Sequence, residues 1–322
     1  MILITGAAGF IGSALAAYLN EQGLSDLVLV DRFDAAEKKT NWTHKKYRFL
    51  VERETIFEWL PRYAKDIGAI FHIGARTDTT LQDATIFATL NLHYSQRLWQ
   101  FATENSIPFF YASSAATYGD GQLGFSDDEK LLPQLHPLNP YAQSKHAFDQ
   151  WVLSQDSRPP RWAGFKFFNV FGPNEYHKGR MASVAWHGYR QIRAEGKMRL
   201  FRSHRSDYLD GEQKRDFIYV KDVVEVLYFF LSDTPPSGIY NLGTGHARSF
   251  LDLAKALFSA MGKEPQIEFI DTPAEIRESY QYFTQAEMAK LRKAGYTKAF
   301  RQLEGAIQEY VQAYLLPEPR IW

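Results

Sequence analysis

Tyr141-Ala-Gln-Ser-Lys145 is a stretch whose residue types could move a proton. On a helix, side chains four apart share a face, so the Tyr141 phenol and the Lys145 ammonium point the same way. A cation beside a phenol favours the phenolate and brings its pKa down toward working pH, which makes the tyrosine an acid/base group. Ser114, at the end of the preceding strand, is placed to hydrogen-bond the oxygen that gains or loses the proton. Tyr/Lys pairs also occur on ordinary amphipathic helices, so the weight of this one depends on its setting.

That setting begins at residue 2. Ile2, Leu3 and Ile4 read as a buried parallel strand, followed by Gly6, Gly9 and Gly12 and then a helical pattern of Ile11, Leu15, Tyr18 and Leu19. Glycines suit a turn that must bend sharply, bring backbone N–H groups against a pyrophosphate and pack a helix on a strand. The helix starting near Phe10 presents its positive end to those phosphates. A second apolar strand, Leu27 to Val30, ends in Asp31, where a carboxylate would meet the adenosine ribose. Strand, glycines, helix, strand and acid in that order read as a dinucleotide site, and Lys145 can hold a ribose of the same cofactor.

Positioning these groups takes alternating strands and helices. Further strands are expected at Tyr47–Val51, Ala69–His72, Pro108–Ala112 and Trp162–Phe168. Helices are expected around Ile56–Leu60, over Thr85–Asn105 and over Asn139–Leu153. This alternation predicts an α/β fold, a Rossmann-type doubly wound parallel sheet, with ligands at the carboxyl ends of the strands. After Phe168 the order changes. Residues 169–179 read as an ordered functional loop, followed by a helix over Met181–Ala194, a strand near Met198–Phe201 and a charged loop over Ser203–Gln213. Strands at Asp216–Val220 and Gly238–Leu242 and helices through Phe250–Met261, Gln285–Ala294 and Leu303–Tyr314 complete the chain. The expected division is a cofactor domain over 1–168 with returning segments at about 214–242, and a smaller, intertwined α/β substrate-binding domain over 169–213 and 243–322.

Composition narrows the function. The 322 residues suffice for one large domain or two unequal ones. The cysteine count is 0, which excludes disulfides, thiolate metal sites and a cysteine nucleophile, and no metal is expected. Lys+Arg and Asp+Glu balance at 37 each, against a nucleic-acid or membrane partner for the whole molecule. With Met1 running straight into the first strand, no export signal is expected, and no apolar run reads as long enough to cross a bilayer.

These segments make the chain similar to the extended short-chain dehydrogenase/reductases: the Gly6-x-x-Gly9-x-x-Gly12 turn, Ser114, Tyr141-x-x-x-Lys145, Arg215-Asp216-Phe217-Ile218-Tyr219-Val220 and Asn241-Leu242-Gly243. Within that superfamily it most resembles the ADP-L-glycero-D-manno-heptose 6-epimerases. The specific parts are the 112–119 stretch ending Thr117-Tyr118-Gly119, the 168–175 stretch through Asn169 and Glu175, the 177–184 stretch beginning His177-Lys178-Gly179-Arg180, and Tyr280-Gln281-Tyr282-Phe283-Thr284.

The resemblance implies an internal redox epimerisation at heptose carbon six, with tightly bound NADP taking hydride and returning it to the other face of a transient ketone. By position it implies that Tyr141 and Lys178 are acid/base groups for opposite faces, that Ser114 steadies the oxygen and that Lys145 assists. A single tyrosine cannot reach both faces, which agrees with a second proton carrier. Implied cofactor contacts are Gly6, Gly9, Phe10, Ile11, Gly12, Asp31, Arg32, Lys38, Arg53, Ile73, Gly74, Ala75, Arg76, Thr77, Asn91, Lys145, Val170 and Lys178. Implied contacts to the ADP-heptose substrate are Asn169, Arg180, His187, Phe201, Arg202, Ser203, His204, Arg215 and Tyr280. Lys197, Arg199, Arg202, Arg205, Lys214 and Arg215 add the positive charge that a diphosphate requires.

Cofactor choice is open from the residues. Asp31 favours NAD, whereas Arg32, Lys38, Lys39 and Arg53 suit the 2′-phosphate of NADP; the resemblance favours NADP. The chain departs from the family pattern at Ile73 and Arg76 and in a longer 203–213 loop. Relatives imply a homo-oligomer, a homopentamer by resemblance. A nucleotide-activated substrate implies a cytoplasmic enzyme. The alternatives are another nucleotide-sugar epimerase or dehydratase of the superfamily, and a non-catalytic nucleotide sensor. Ala115-Ala116-Thr117 after Ser114 lacks the Asp-Glu pair usual in dehydratases, and a sensor need not keep both Tyr141 and Lys145.

Overall fold

The computed structural model describes residues 1–277, 280–316 and 318–322; residues 278, 279 and 317, within the segment assigned to the substrate-binding domain, lie outside the described residues. The strands in chain order are β1 (Ile2–Thr5), β2 (Leu27–Asp31), β3 (Phe49–Glu52), β4 (Ala69–His72), β5 (Phe109–Ser114), β6 (Trp162–Phe167), β7 (Asn169–Phe171), β8 (Met198–Phe201), β9 (Lys214–Tyr219), β10 (Gly238–Leu242), β11 (Ala247–Ser249) and β12 (Ile267–Ile270). Seven of them form one sheet in the order β10-β6-β5-β4-β1-β2-β3. All its pairings are parallel, with β1 between β2 and β4. The expected doubly wound sheet is therefore present, and its order reverses between β1 and β4, where such sheets open a ligand crevice.

The central strands are apolar on both faces because helices cover both. On one side the Phe10–Glu21 and Val220–Ser232 helices pack on Ile4, Leu29, Phe71 and Phe165; on the other, Trp99, Phe148 and Val152 pack on Leu3, Val28 and Tyr111. A third core joins Phe171, Tyr189, Leu257, Ile307 and Tyr310 in the smaller part of the molecule. There β9 pairs with β7 in parallel and with β11 antiparallel, in a sheet separate from the main one. Of the returning 214–242 segment, β10 joins the seven-stranded sheet and β9 joins this one.

The helix expected over Thr85–Asn105 runs from Ala84 to Glu104 but widens into a π turn at Ala88–His93. That turn brings the buried Asn91 inward, where it accepts from Arg76 N–H (2.8 Å) and donates to Ser144 Oγ (3.0 Å). The helix expected over Gln285–Ala294 is confined to Ala289–Lys293. Ahead of it, the Ala286 and Glu287 amides donate to Asp216 and to the Phe125 carbonyl, tertiary partners that replace helical ones. Among the described residues, no helix is long and apolar enough to cross a membrane.

Candidate functional site

The glycine turn is built for close approach. Gly6 has φ +69°, and a Cβ there would lie 2.6 Å from Gly74 Cα; a Cβ on Gly12 would lie 2.2 Å from the Gly6 carbonyl oxygen. Neither position has room for a side chain, so a phosphate can approach the start of the Phe10–Glu21 helix closely. Asp31 braces the turn: Oδ2 accepts from Ala8 N–H (2.9 Å) and Oδ1 from Arg32 N–H (2.8 Å).

A cavity of about 910 Å³ opens over this turn at the carboxyl ends of β1, β4, β5 and β6. Gly6, Gly9, Phe10, Ile11, Gly12, Asp31, Arg32, Lys38, Arg53, Ile73, Gly74, Ala75, Arg76 and Thr77 line its cofactor side. Ser114, Tyr141, Lys145, Asn169, Val170, Lys178 and Arg180 line the rest. Residues far apart in sequence are thus brought to one space. Asn91 stands behind the wall, holding the Arg76 backbone from both sides through its amide.

Tyr141 and Lys145 lie on the Pro140–Ser154 helix, which is capped by Asn139 through its bond from Ala142 N–H (2.9 Å). Lys145 Nζ donates to the Ala112 carbonyl at 2.8 Å, and burial lowers its pKa to about 8. The expected lowering of the Tyr141 pKa is not what the structure shows. Burial raises the phenol above its ordinary value, and the Ser114 hydroxyl opposes the rise. Desolvation of the phenolate dominates and the Asp149 charge adds to it, while the Lys145 ammonium is directed at the Ala112 carbonyl.

Lys178 comes from the turn Tyr176–Met181, and burial lowers its pKa. The turn is pinned by Glu175, whose buried carboxylate accepts from Gly172 N–H (3.1 Å), Ser183 N–H (2.5 Å), Ser183 Oγ (2.8 Å) and Tyr310 OH (3.0 Å). His177 beside it lies 3.1 Å from Asn41 Nδ2, and burial lowers its pKa to about 4, so it is neutral at working pH. At the mouth, Arg180 donates to both Asp78 oxygens (2.9 and 3.1 Å). Asp78 and His177 line the cavity, and the sequence reading passed over both. His177 stood in a quoted motif; Asp78 carried no local signal.

Phe201, Arg202, Ser203, His204, Arg215 and Tyr280 do not line this cavity. They gather in a neighbouring cluster: Phe201 meets the Tyr280 ring at 6.1 Å, the Arg215 guanidinium lies 5.3 Å from it, and His204 N–H donates to Tyr282 OH (2.8 Å). Arg202 faces Asp271 at 3.5 Å. Gln281 joins the cluster to the turn that follows β5, accepting from Arg215 at its carbonyl and donating to the Gly119 carbonyl. His187 Nε2 lies 3.3 Å from the Arg180 carbonyl, tying it to the mouth of the cavity.

Comparison with known proteins gives consistent results. Residues 2–243 match the model of the NAD dependent epimerase/dehydratase family. The chain is 45% identical to the ADP-L-glycero-D-manno-heptose-6-epimerase of Fusobacterium nucleatum, over 99% of both chains. It is 48% identical to the enzyme of that name from Nitratidesulfovibrio vulgaris, over 98% of both. The crystal structure of Helicobacter pylori ADP-L-glycero-D-manno-heptose-6-epimerase superposes with a TM-score of 0.79 at 28% identity, covering 96% of this chain and 94% of that one.

Proposed function

The chain belongs to the NAD dependent epimerase/dehydratase family, and from that premise we propose that it inverts carbon six of ADP-D-glycero-D-manno-heptose to give the L-glycero form. It is an isomerase that uses a nicotinamide cofactor. The full-length identity of 45–48% to relatives of that name carries the reading of the substrate. The glycine turn, closed to any side chain, fits the pyrophosphate of the cofactor.

A nicotinamide cofactor held by the glycine turn and Lys145 would supply hydride exchange at carbon six, with the alcohol oxidised to a ketone and reduced again. Tyr141 and Lys178 exchange the hydroxyl proton. They reach the cavity from different elements, the Pro140–Ser154 helix and the Tyr176–Met181 turn, so the sugar can turn between them and take its proton from either side. Ser114 steadies the reacting oxygen. Burial disfavours the charged form of Lys178, so more of it is neutral and free to accept a proton than of a solvated lysine.

NADP is the proposed cofactor. Asp31 already accepts two backbone donors and lies 3.5 Å from Lys38, so much of its charge is spent within the protein, and Arg32 and Arg53 line the adenosine end. The neighbouring cluster around Arg215, Phe201 and Tyr280 is proposed to receive the nucleotide of the substrate, in a cytoplasmic homopentamer. Proton NMR at carbon six of ADP-D-glycero-D-manno-heptose tests the reading: conversion to the L-glycero form is expected, and no conversion with either NADP or NAD would overturn it.

A further inference from the structure

Tyr141, Lys145 and Asp149 follow one another at every fourth position of the Pro140–Ser154 helix and so share a face. Asp149 is fully buried and accepts from three side chains. Oδ1 accepts from Tyr111 OH (3.0 Å), and Oδ2 accepts from Ser113 Oγ (2.7 Å) and Lys166 Nζ (2.9 Å). Lys166, also at 0% exposure, donates to Thr117 Oγ1 (2.5 Å) and lies 5.0 Å from the Tyr118 ring. Thr117 Oγ1 in turn donates to the Ser114 carbonyl (2.7 Å). The pair therefore grips the 112–118 platform from beneath while Lys145 holds it at Ala112. A buried ion pair adds little net stability over an apolar pair of the same volume, so stability alone does not account for charges at this spot.

We propose that Asp149 is a positioning residue for Lys145, fixing the platform that its ammonium grips and supplying the negative charge that keeps that buried ammonium from standing alone. This rests on the reading of Tyr141 and Lys145 given above.

Among the described residues no carboxylate bridges Lys145, whose hydrogen bond goes to a carbonyl. Of the titratable groups joined to this network, Tyr141 and His146 lie on its own helix, His72 on β4 feels the Lys145 charge, and Tyr111 on β5 and Lys166 on β6 are bonded to Asp149 rather than to Lys145. Tyr111 stays protonated because burial raises it, and His72 stays neutral because burial, with the Lys145 charge, lowers its pKa to about 3. Burial also lowers His146. Asp149 is left as the anion that opposes the fall of the Lys145 pKa; it also adds to the rise of Tyr141, so a Tm readout that starts from the Lys145 titration separates the two.

The test compares pH profiles of kcat for the parent, Asp149→Asn and the double variant Asp149→Asn/Lys166→Met. The single variant strands Lys166 as an unpaired buried charge and loses stability; the double variant removes both charges and keeps the fold. Without Asp149, Lys145 loses its proton more readily, so the alkaline limb of the profile is expected to move down by about one pH unit in the double variant. A cofactor-free readout accompanies it. A lysine with a depressed folded pKa binds fewer protons folded than unfolded, so stability rises with pH above that pKa. The onset of this rise in Tm also moves to lower pH in the double variant. A folded double variant with the parent's limb and onset would reduce Asp149 to a structural residue and overturn the proposal. A parent that fails to epimerise would instead overturn the proposed function, leaving the Tm readout to decide the role of Asp149.

Discussion

The Lys178 ammonium lies 5.6 Å from the centre of the Phe10 ring. Lys178 sits in the turn after β7 and Phe10 is the first residue of the helix that follows the glycines, so this contact closes the smaller part of the molecule over the cofactor side. It brings a buried lysine into the cavity that Tyr141 and Lys145 also line.

Replacing either proton carrier should therefore stop the reaction without emptying the site. Lys178→Met and Tyr141→Phe are each expected to lower kcat by about 10²–10⁴-fold, with the molar ratio of bound nicotinamide unchanged. Absorbance and NMR turnover check both. A Lys178→Met variant with parental kcat would remove Lys178 from the chemistry.

Glu175 holds the Lys178 turn with four donors, so Glu175→Ala strands all four. The expected loss is about 3 kcal/mol of stability, read as a fall in Tm. Because the turn then loosens, kcat should fall as well.

Acid stability should report His72, which sits between Thr5 Oγ1 (2.7 Å) and Ser95 Oγ (2.8 Å) with its pKa lowered to about 3. Unfolded histidine takes a proton near pH 6.5, folded His72 only near 3, so the unfolded state binds the extra proton between these values. Stability attributable to His72 is complete above that window and is lost as pH falls through it. A His72→Gln variant should show a shallower decline of Tm from pH 6.5 to 3, and an unchanged slope would contradict the assignment.

Cofactor choice should respond to the adenosine end. Arg32→Ala or Arg53→Ala is expected to weaken NADP by about tenfold and leave NAD unaffected, as measured by titration of the cofactor-free protein. Equal losses for both would remove the 2′-phosphate from the account. In this structure Arg32 is paired with Asp34 (2.7 Å) and Arg53 with Glu54 (2.5 Å), exposed bridges that cost little to exchange for a phosphate.

What could be read from the chain was what local pattern encodes. The strand, glycine turn, helix and Asp31 lie within one short stretch, and the Tyr141–Lys145 spacing states its own geometry on a helix. Long-range pairing was harder. Nothing near Arg180 points to Asp78, and β7 and β11 are strands of three residues whose pairing with β9 comes from tertiary packing. The π turn at Ala88–His93 breaks a periodicity that otherwise reads as one regular helix. The Tyr141 pKa misled for a different reason: adjacency of Lys145 can be read from sequence, whereas the depth of burial that raises the phenol cannot.

The central claim is an inversion in which the hydrogen at carbon six leaves and returns as hydride. The most direct measurement is the conversion of ADP-D-glycero-D-manno-heptose in D₂O, followed by NMR at that carbon. The account predicts L-glycero product that keeps its original hydrogen at carbon six, since hydride never meets solvent. Deuterium at carbon six of the product would show a proton abstracted to water and would contradict it.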